Sequence, residues 1–165
     1  MIAACDMILR FRDKNCTPVP FDKYRDFVNH MTENHFYKHS RNPLGVPVCK
    51  ILKALNKSQN DRRFRFISRV FLNPVKLAEI ITKSLENDTP VIVRIGANRK
   101  KLPYKIAFPV SGNTEREDRM TWHYITVTGI ENDTLIFYSW GGKGTMKISD
   151  LCRFFGFTGG IITAE

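Results

Sequence analysis

The sequence predicts an α+β domain, with helices packed on an antiparallel sheet. Three observations carry that expectation. Apolar residues recur at mostly helical spacing as far as Leu85. From Pro90 onward the period shortens to that of strands. No regular alternation of strand and helix links the two stretches, so a parallel doubly wound sheet is not indicated. A chain of 165 residues is the usual size of one domain. We therefore read a single domain over 1–165, with 1–88 the mainly helical part and 89–165 the mainly antiparallel sheet.

The elements follow in order. Residues 2–12 are dense in apolar side chains and good helix formers, with no Gly or Pro, as in a mostly buried helix. They lack a basic leader and a small-residue cleavage site and contain Asp6, so the segment reads as part of the fold and not as a signal peptide. Pro18 and Pro20 forbid its continuation. Tyr24, Phe27, Val28 and Met31 then predict a second helix from Phe21 or Asp22, with His35, Phe36 and His39 at its frayed end. Asn42-Pro43-Leu44-Gly45 is a loop, and Pro47 opens a third helix through Leu55. Phe64 and Phe66 alternate with Arg63 and Arg65, predicting a strand over 62–70. Asn73 at the cap and Pro74 in the first turn predict a helix over 75–85.

Strands dominate the rest. Residues 91–95 are one, and 104–110 another after a basic turn at 98–101. Residues 111–119 are polar, charged and loop-like. Residues 122–130 and 134–140 form a hairpin around Glu131-Asn132-Asp133. Residues 145–148 continue the sheet, Ser149 caps a short helix through Phe154, and 160–164 give a last strand.

Composition narrows the function classes. The formal net charge is +10, with 42% hydrophobic and 25% charged residues. Such values belong to a globular chain whose field attracts acidic partners, nucleic acid or anionic surfaces. No run approaches the roughly 20 apolar residues that span a bilayer. The four cysteines, Cys5, Cys16, Cys49 and Cys152, show no paired spacing. Free thiols in a reducing, cytoplasmic setting are the simplest account, although two disulfides also fit the count.

Several clusters read more plainly than they first look. His35 and His39 are four residues apart, and His30 and Cys49 complete a zinc set on paper. No second paired ligand set accompanies them, so surface histidines are expected, with no metal and no cofactor. Arg62, Arg63, Arg65 and Arg69, and the turn 98–101, lie near Phe64, Phe66 and Tyr104, a pairing that suits single-stranded nucleic acid. Alternating Phe and Arg is equally the face pattern of a half-buried strand, and no named nucleic-acid motif is present. Gly141-Gly142-Lys143-Gly144 lacks the spacing and helix of a phosphate loop and reads as a turn between strands.

The hairpin holds the best chemical candidate. With a period of two, His123 shares a face with Ile125 and Val127. A lone inward His is more often a hydrogen-bonded core residue than a base. Here, however, Tyr138-Ser139-Trp140-Gly141 returns beside it. A regular two-residue turn puts Tyr138 on the face of His123, and a one-residue register shift puts Ser139 there instead. Either hydroxyl could hold the imidazole in one tautomer, as the third group does in nucleophile–base systems.

Trp122-His123-Tyr124-Ile125-Thr126-Val127-Thr128-Gly129-Ile130, followed by Ser139-Trp140-Gly141-Gly142-Lys143, resembles papain-like cysteine peptidases. The nearest branch is the bacteriocin-processing, double-glycine-leader peptidase-like group and its uncharacterised bacterial relatives. Ile2-Ala3-Ala4-Cys5-Asp6-Met7-Ile8-Leu9 is similar to the body of that family's first helix, and residues 71–93 fit its order. The resemblance covers most of the chain, with 17–70 matched in outline.

It implies a papain-like fold and a hydrolase that cleaves peptides or other amides through a thioester. His123 would be general base and acid, and Tyr138 or Ser139 its orienter in place of the common Asn or Asp. Trp122 and Trp140 would line the substrate side, Trp140 shielding the His. The family's catalytic Cys and Gly, aligned this way, fall just before Met1, with the oxyanion-hole Gln further upstream. Cys5 is the one cysteine in the right element, among Ala4, Ile8 and Leu9, where a core thiol is the default. Three expectations follow: a natural chain that carries the Cys upstream, a pseudoenzyme that keeps the fold for binding an acidic protein or nucleic acid, or Cys5 as nucleophile.

Overall fold

A computed structural model of the protein describes residues 21–36, 47–58, 65–70, 72–96, 101–108, 112, 114–139, 142–155 and 158–164. The first expected helix, with Cys5, lies outside the described residues, as do Phe64, Arg62, Arg63, His39, residues 98–100 and Trp140. The described residues form helices and one antiparallel sheet, the α+β class the sequence predicts.

The helices are α1, Phe21–Met31, α2, Val48–Ser58, α3, Pro74–Glu86, and α4, Ile148–Phe154. A π-helical turn, Thr32–Phe36, continues α1. The strands are β1, Phe66–Val70, β2, Val91–Ile95, β3, Leu102–Ala107, and β4, Glu115–Met120. They continue with β5, His123–Glu131, β6, Thr134–Ser139, β7, Gly142–Lys147, and β8, Gly160–Ala164. The eight strands lie in the order β1-β8-β2-β5-β6-β7-β3-β4. β1, from the mainly helical stretch, thus pairs with the last strand.

Local chemistry explains the boundaries. Asn73 caps α3 by accepting a bond from the Lys76 amide at 2.8 Å, with Pro74 just inside. Such a cap contributes about 1 kcal/mol. Pro47 O accepts from the Lys50 and Ile51 amides as α2 begins. Asn56 of α2 holds both backbone groups of Phe66, donating to its carbonyl at 3.0 Å and accepting from its amide at 2.8 Å. An amide side chain thereby stands in for a neighbouring strand and fixes α2 to β1.

Two expectations change. The expected loop over 111–119 in fact supplies β4, which pairs along β3 from Ala107–Glu115 to Leu102–Met120. Its side chains from Glu115 to Arg119 are all exposed because it borders the described sheet. With both faces wet, no apolar alternation marks it as a strand. The short helix α4 begins at Ile148, and its cap position is Lys147 without a side-chain bond, not Ser149.

Strand parity divides the core. Val91, Val93, Ile95, Ile125, Val127, Leu135 and Phe137 face α3 and α4, packing with Leu77, Ile81 and Leu151. Ile92 and Ile162 point the other way, against Met31, Ile51, Ala54 and Leu55 of α1 and α2. Helices therefore cover both faces of the sheet at its β8-β2-β5 centre. No helix among the described residues is long and apolar enough to cross a membrane.

Candidate functional site

His123 opens β5 at the end of the central ladder, opposite Ile95 of β2. Its side chain lies on the face covered by α3 and α4, in line with Ile125 and Val127. Whether Tyr138 or Ser139 joins it depends on the β5–β6 register. Near the turn, Glu131 opposes Thr134 and Gly129 opposes Ile136, as a two-residue hairpin demands. Between Val127 and Gly129 the register shifts, leaving Thr128 as an extra residue on β5. Beyond this bulge Phe137 opposes Val127 and Tyr138 opposes Thr126. Tyr138 is therefore carried to the α1/α2 face, away from His123, and Ser139 takes the His123 face.

The contact that results is short. His123 Nε2 and Ser139 Oγ are 2.6 Å apart. Ser139 is only 2% exposed, so the hydroxyl belongs to the interior. Burial is the main cause that pulls the His123 imidazole down from 6.5 to about 4. Desolvation penalises the imidazolium, so the ring stays neutral through the physiological range. A neutral imidazole that donates from one nitrogen carries its basic lone pair on the other.

The frame around His123 comes from groups that carry no signal in the sequence. Thr121 Oγ1 donates to Gly96 O at 3.0 Å, and Gly96 N donates to Phe155 O at 2.9 Å. These bonds tie the approach to β5, the end of β2 and the end of α4 together. A Cβ on Gly96 would lie 2.6 Å from Thr158 Oγ1 and from Gly159 N, so only glycine fits this crossing. No sequence motif marks Thr121 or Gly96, because the bracing is entirely tertiary.

Trp122, one residue before His123, has φ 52° and is 59% exposed. A left-handed backbone at a bulky residue costs about 1–3 kcal/mol, so the surrounding bonds must hold it. The Arg94 guanidinium lies 5.7 Å from the Trp122 ring centroid. Arg94 pairs with Tyr124 across the β2–β5 ladder, and burial pushes the Tyr124 phenol up to about 12. An exposed aromatic and a cation thus border the strand end that carries the His.

The cysteines divide clearly. Cys5 and Cys16 lie outside the described residues. Cys152 is a free thiol that donates to Pro74 O at 3.3 Å, and burial raises its pKa, so it is a packing thiol. Cys49 is free and exposed on α2, which covers the sheet face opposite to His123.

The other candidates are described only in part, since His39, Arg62, Arg63, Phe64 and residues 98–100 lie outside the described residues. His30 Nδ1 is 3.1 Å from Asn34 Nδ2, and among the described residues no group of three or more His, Cys, Asp or Glu is placed to hold a metal. Phe66 is buried under α1 and α2, so it offers no stacking face, and Arg69 bonds to Thr163 Oγ1 at 2.8 Å. Gly142 and Gly144 belong to β7, not to a turn or phosphate loop. A Cβ on Gly144 would strike the Phe137 ring, and one on Gly142 would meet Ala107 O at 2.8 Å. Two clefts, of about 570 and 300 Å³, lie along β3–β4 and beside α3, and neither includes His123. No family model and no curated protein matches the chain.

Proposed function

We propose that the chain is the histidine-bearing domain of a papain-like cysteine peptidase or related amide hydrolase, of the bacteriocin-processing type it resembles. The single observation that supports this most is the bond between His123 and Ser139 at the mouth of β5 and β6. With Nε2–H donating to Ser139 Oγ, Nδ1 is the basic atom. It takes the proton of a cysteine thiol, and the thiolate attacks the amide carbon. The imidazolium returns that proton to the amine as the C–N bond breaks, and water then releases the acyl group from sulfur. Ser139 is the positioning residue in place of an amide or carboxylate. Arg94 pairs with Tyr124 on the α1/α2 face, so the exposed Trp122 ring that meets it is not on the face of the His123 imidazole, and no substrate contact is assigned to either.

The nucleophile in this reading is Cys5 or a cysteine upstream of Met1. The test is alkylation of the full-length chain by a chloromethyl ketone peptide, followed by mass spectrometry. The reading expects one fast-reacting cysteine, with labelling at least tenfold slower after His123→Ala. Failure to label, or equal labelling of both proteins, would overturn it.

A second reading has its own support. On α2, Lys50, Lys53 and Lys57 are exposed at helical spacing, with no acidic residue in the helix. That stripe suits a non-catalytic module that binds an acidic protein or nucleic acid. Binding driven by phosphates would weaken steeply with salt, and indifference to salt would count against that partner.

A further inference from the structure

We infer that β4 is a self-pairing edge through which two copies of this chain join their sheets. β4 is the last strand in the sheet order, and among the described strands it pairs with β3 alone. Glu115, Arg116, Glu117, Asp118 and Arg119 are all exposed, so both faces of the strand are open to a neighbour. An unpaired edge is a template for another strand, and proteins commonly blunt it with charged side chains, Lys above all. Here the signs are mixed, and their order is what selects a partner.

Consider two copies of β4 laid antiparallel about a two-fold axis. With the axis at Glu117, Glu115 faces Arg119 of the second copy, and Arg116 faces its Asp118. Each pair occurs twice by symmetry, and the one like-signed contact is Glu117 with its own copy. The two-fold keeps each residue on its own face, so the next register toward the start of the strand has its axis at Arg116; it opposes Glu115 to Glu117 and Arg116 to its own copy, and every charged pair repels. With the axis at Asp118, Glu117 faces Arg119 favourably, but Asp118 meets its own copy and Arg116 loses its acidic partner to Met120. Directly opposed charges stabilise or destabilise an antiparallel pair according to sign. The order of charges therefore favours the register centred on Glu117 over both of its symmetric neighbours.

The strand is also prepared for the role. Lys105 Nζ lies 3.7 Å from Glu115 Oε2, and the Arg116 guanidinium sits 4.8 Å from the Phe108 ring centroid. Both contacts lean on β3 and its continuation, so β4 is held straight against its inner neighbour while its side chains stay in water. The paired edge would give one continuous sheet across two copies, with backbone hydrogen bonds supplying the affinity and charge the register.

The experiment is sedimentation equilibrium of the full chain up to roughly 1 mM at low salt, the range in which a weak dimer is still detected. A concentration-dependent dimer is expected, loosened at least tenfold by Arg116→Glu with Arg119→Glu, and tightened by Glu117→Gln. Mixing that double variant with Glu115→Lys, Glu117→Lys, Asp118→Lys should form a heterodimer, while each alone stays monomeric. These side chains are exposed, and heterodimer formation itself shows that both variants are folded. A wild-type chain that stays monomeric throughout, a dimer unchanged by the charge reversal, or no heterodimer in the mixture would overturn the inference.

Discussion

Ser139 is nearly isosteric with alanine and almost wholly buried. Ser139→Ala therefore removes one hydrogen bond and little else. The expected cost is about 1 kcal/mol of stability in a urea titration, with the fold otherwise unchanged. It also removes the bond that holds the ring through Nε2, so cysteine alkylation should slow, though less than with His123→Ala. His123 can be singled out in the sequence because period-two alternation puts it on the inner face. The choice between Tyr138 and Ser139 cannot be made there. It turns on one extra residue, Thr128, and nothing in Val127-Thr128-Gly129 distinguishes a bulge from a regular strand. The strain at Trp122 is equally hidden, since a positive φ at tryptophan arises from the bonds of Thr121 and Gly96 and not from any local preference.

At the scale of elements, apolar periodicity serves where one face is dry. The strand at 91–95 and the last strand at 160–164 match expectation because they are enclosed on both sides. The helix after Asn73 matches because cap and proline are local signals. β4 escapes a sequence reading for the opposite reason: its pairing is a backbone matter, and charged side chains carry no period. The glycine run reads as a turn, yet close approach explains it better. Gly144 lies where the Phe137 ring crosses β7, and a Cβ there would stand 2.8 Å from Lys105 O. Gly144→Ala should cost at least about 1–3 kcal/mol, measurable as a shift in the denaturation midpoint. An unshifted midpoint would contradict this close approach of β7 to the Phe137 ring and the Lys105 carbonyl.

For the whole molecule, the sheet with helices on both faces creates the dry layer in which His123 is held neutral. The α+β class and the order of helices and most strands are legible in the sequence. The layering is not, because nothing local tells which helix covers which face. That layering has a consequence for pH. The unfolded imidazole titrates at 6.5 and the folded one at about 4. Between these values the unfolded chain binds a proton that the folded chain refuses, so stability is full above 6.5 and falls as the pH drops toward 4. This one group accounts for at most about 3 kcal/mol across that window. Urea unfolding of the wild type should show the slope, and His123→Gln should flatten it.

The state of His123 is the point on which the rest depends, and it can be observed directly. Nitrogen-15 NMR of the imidazole, followed from about pH 8 to about pH 3, reports both the titration midpoint and the nitrogen that carries the proton. The account predicts a midpoint near 4 with the proton on Nε2, and a changed midpoint or tautomer in Ser139→Ala. A ring that titrates near its ordinary 6.5, or one indifferent to the loss of Ser139, would contradict it.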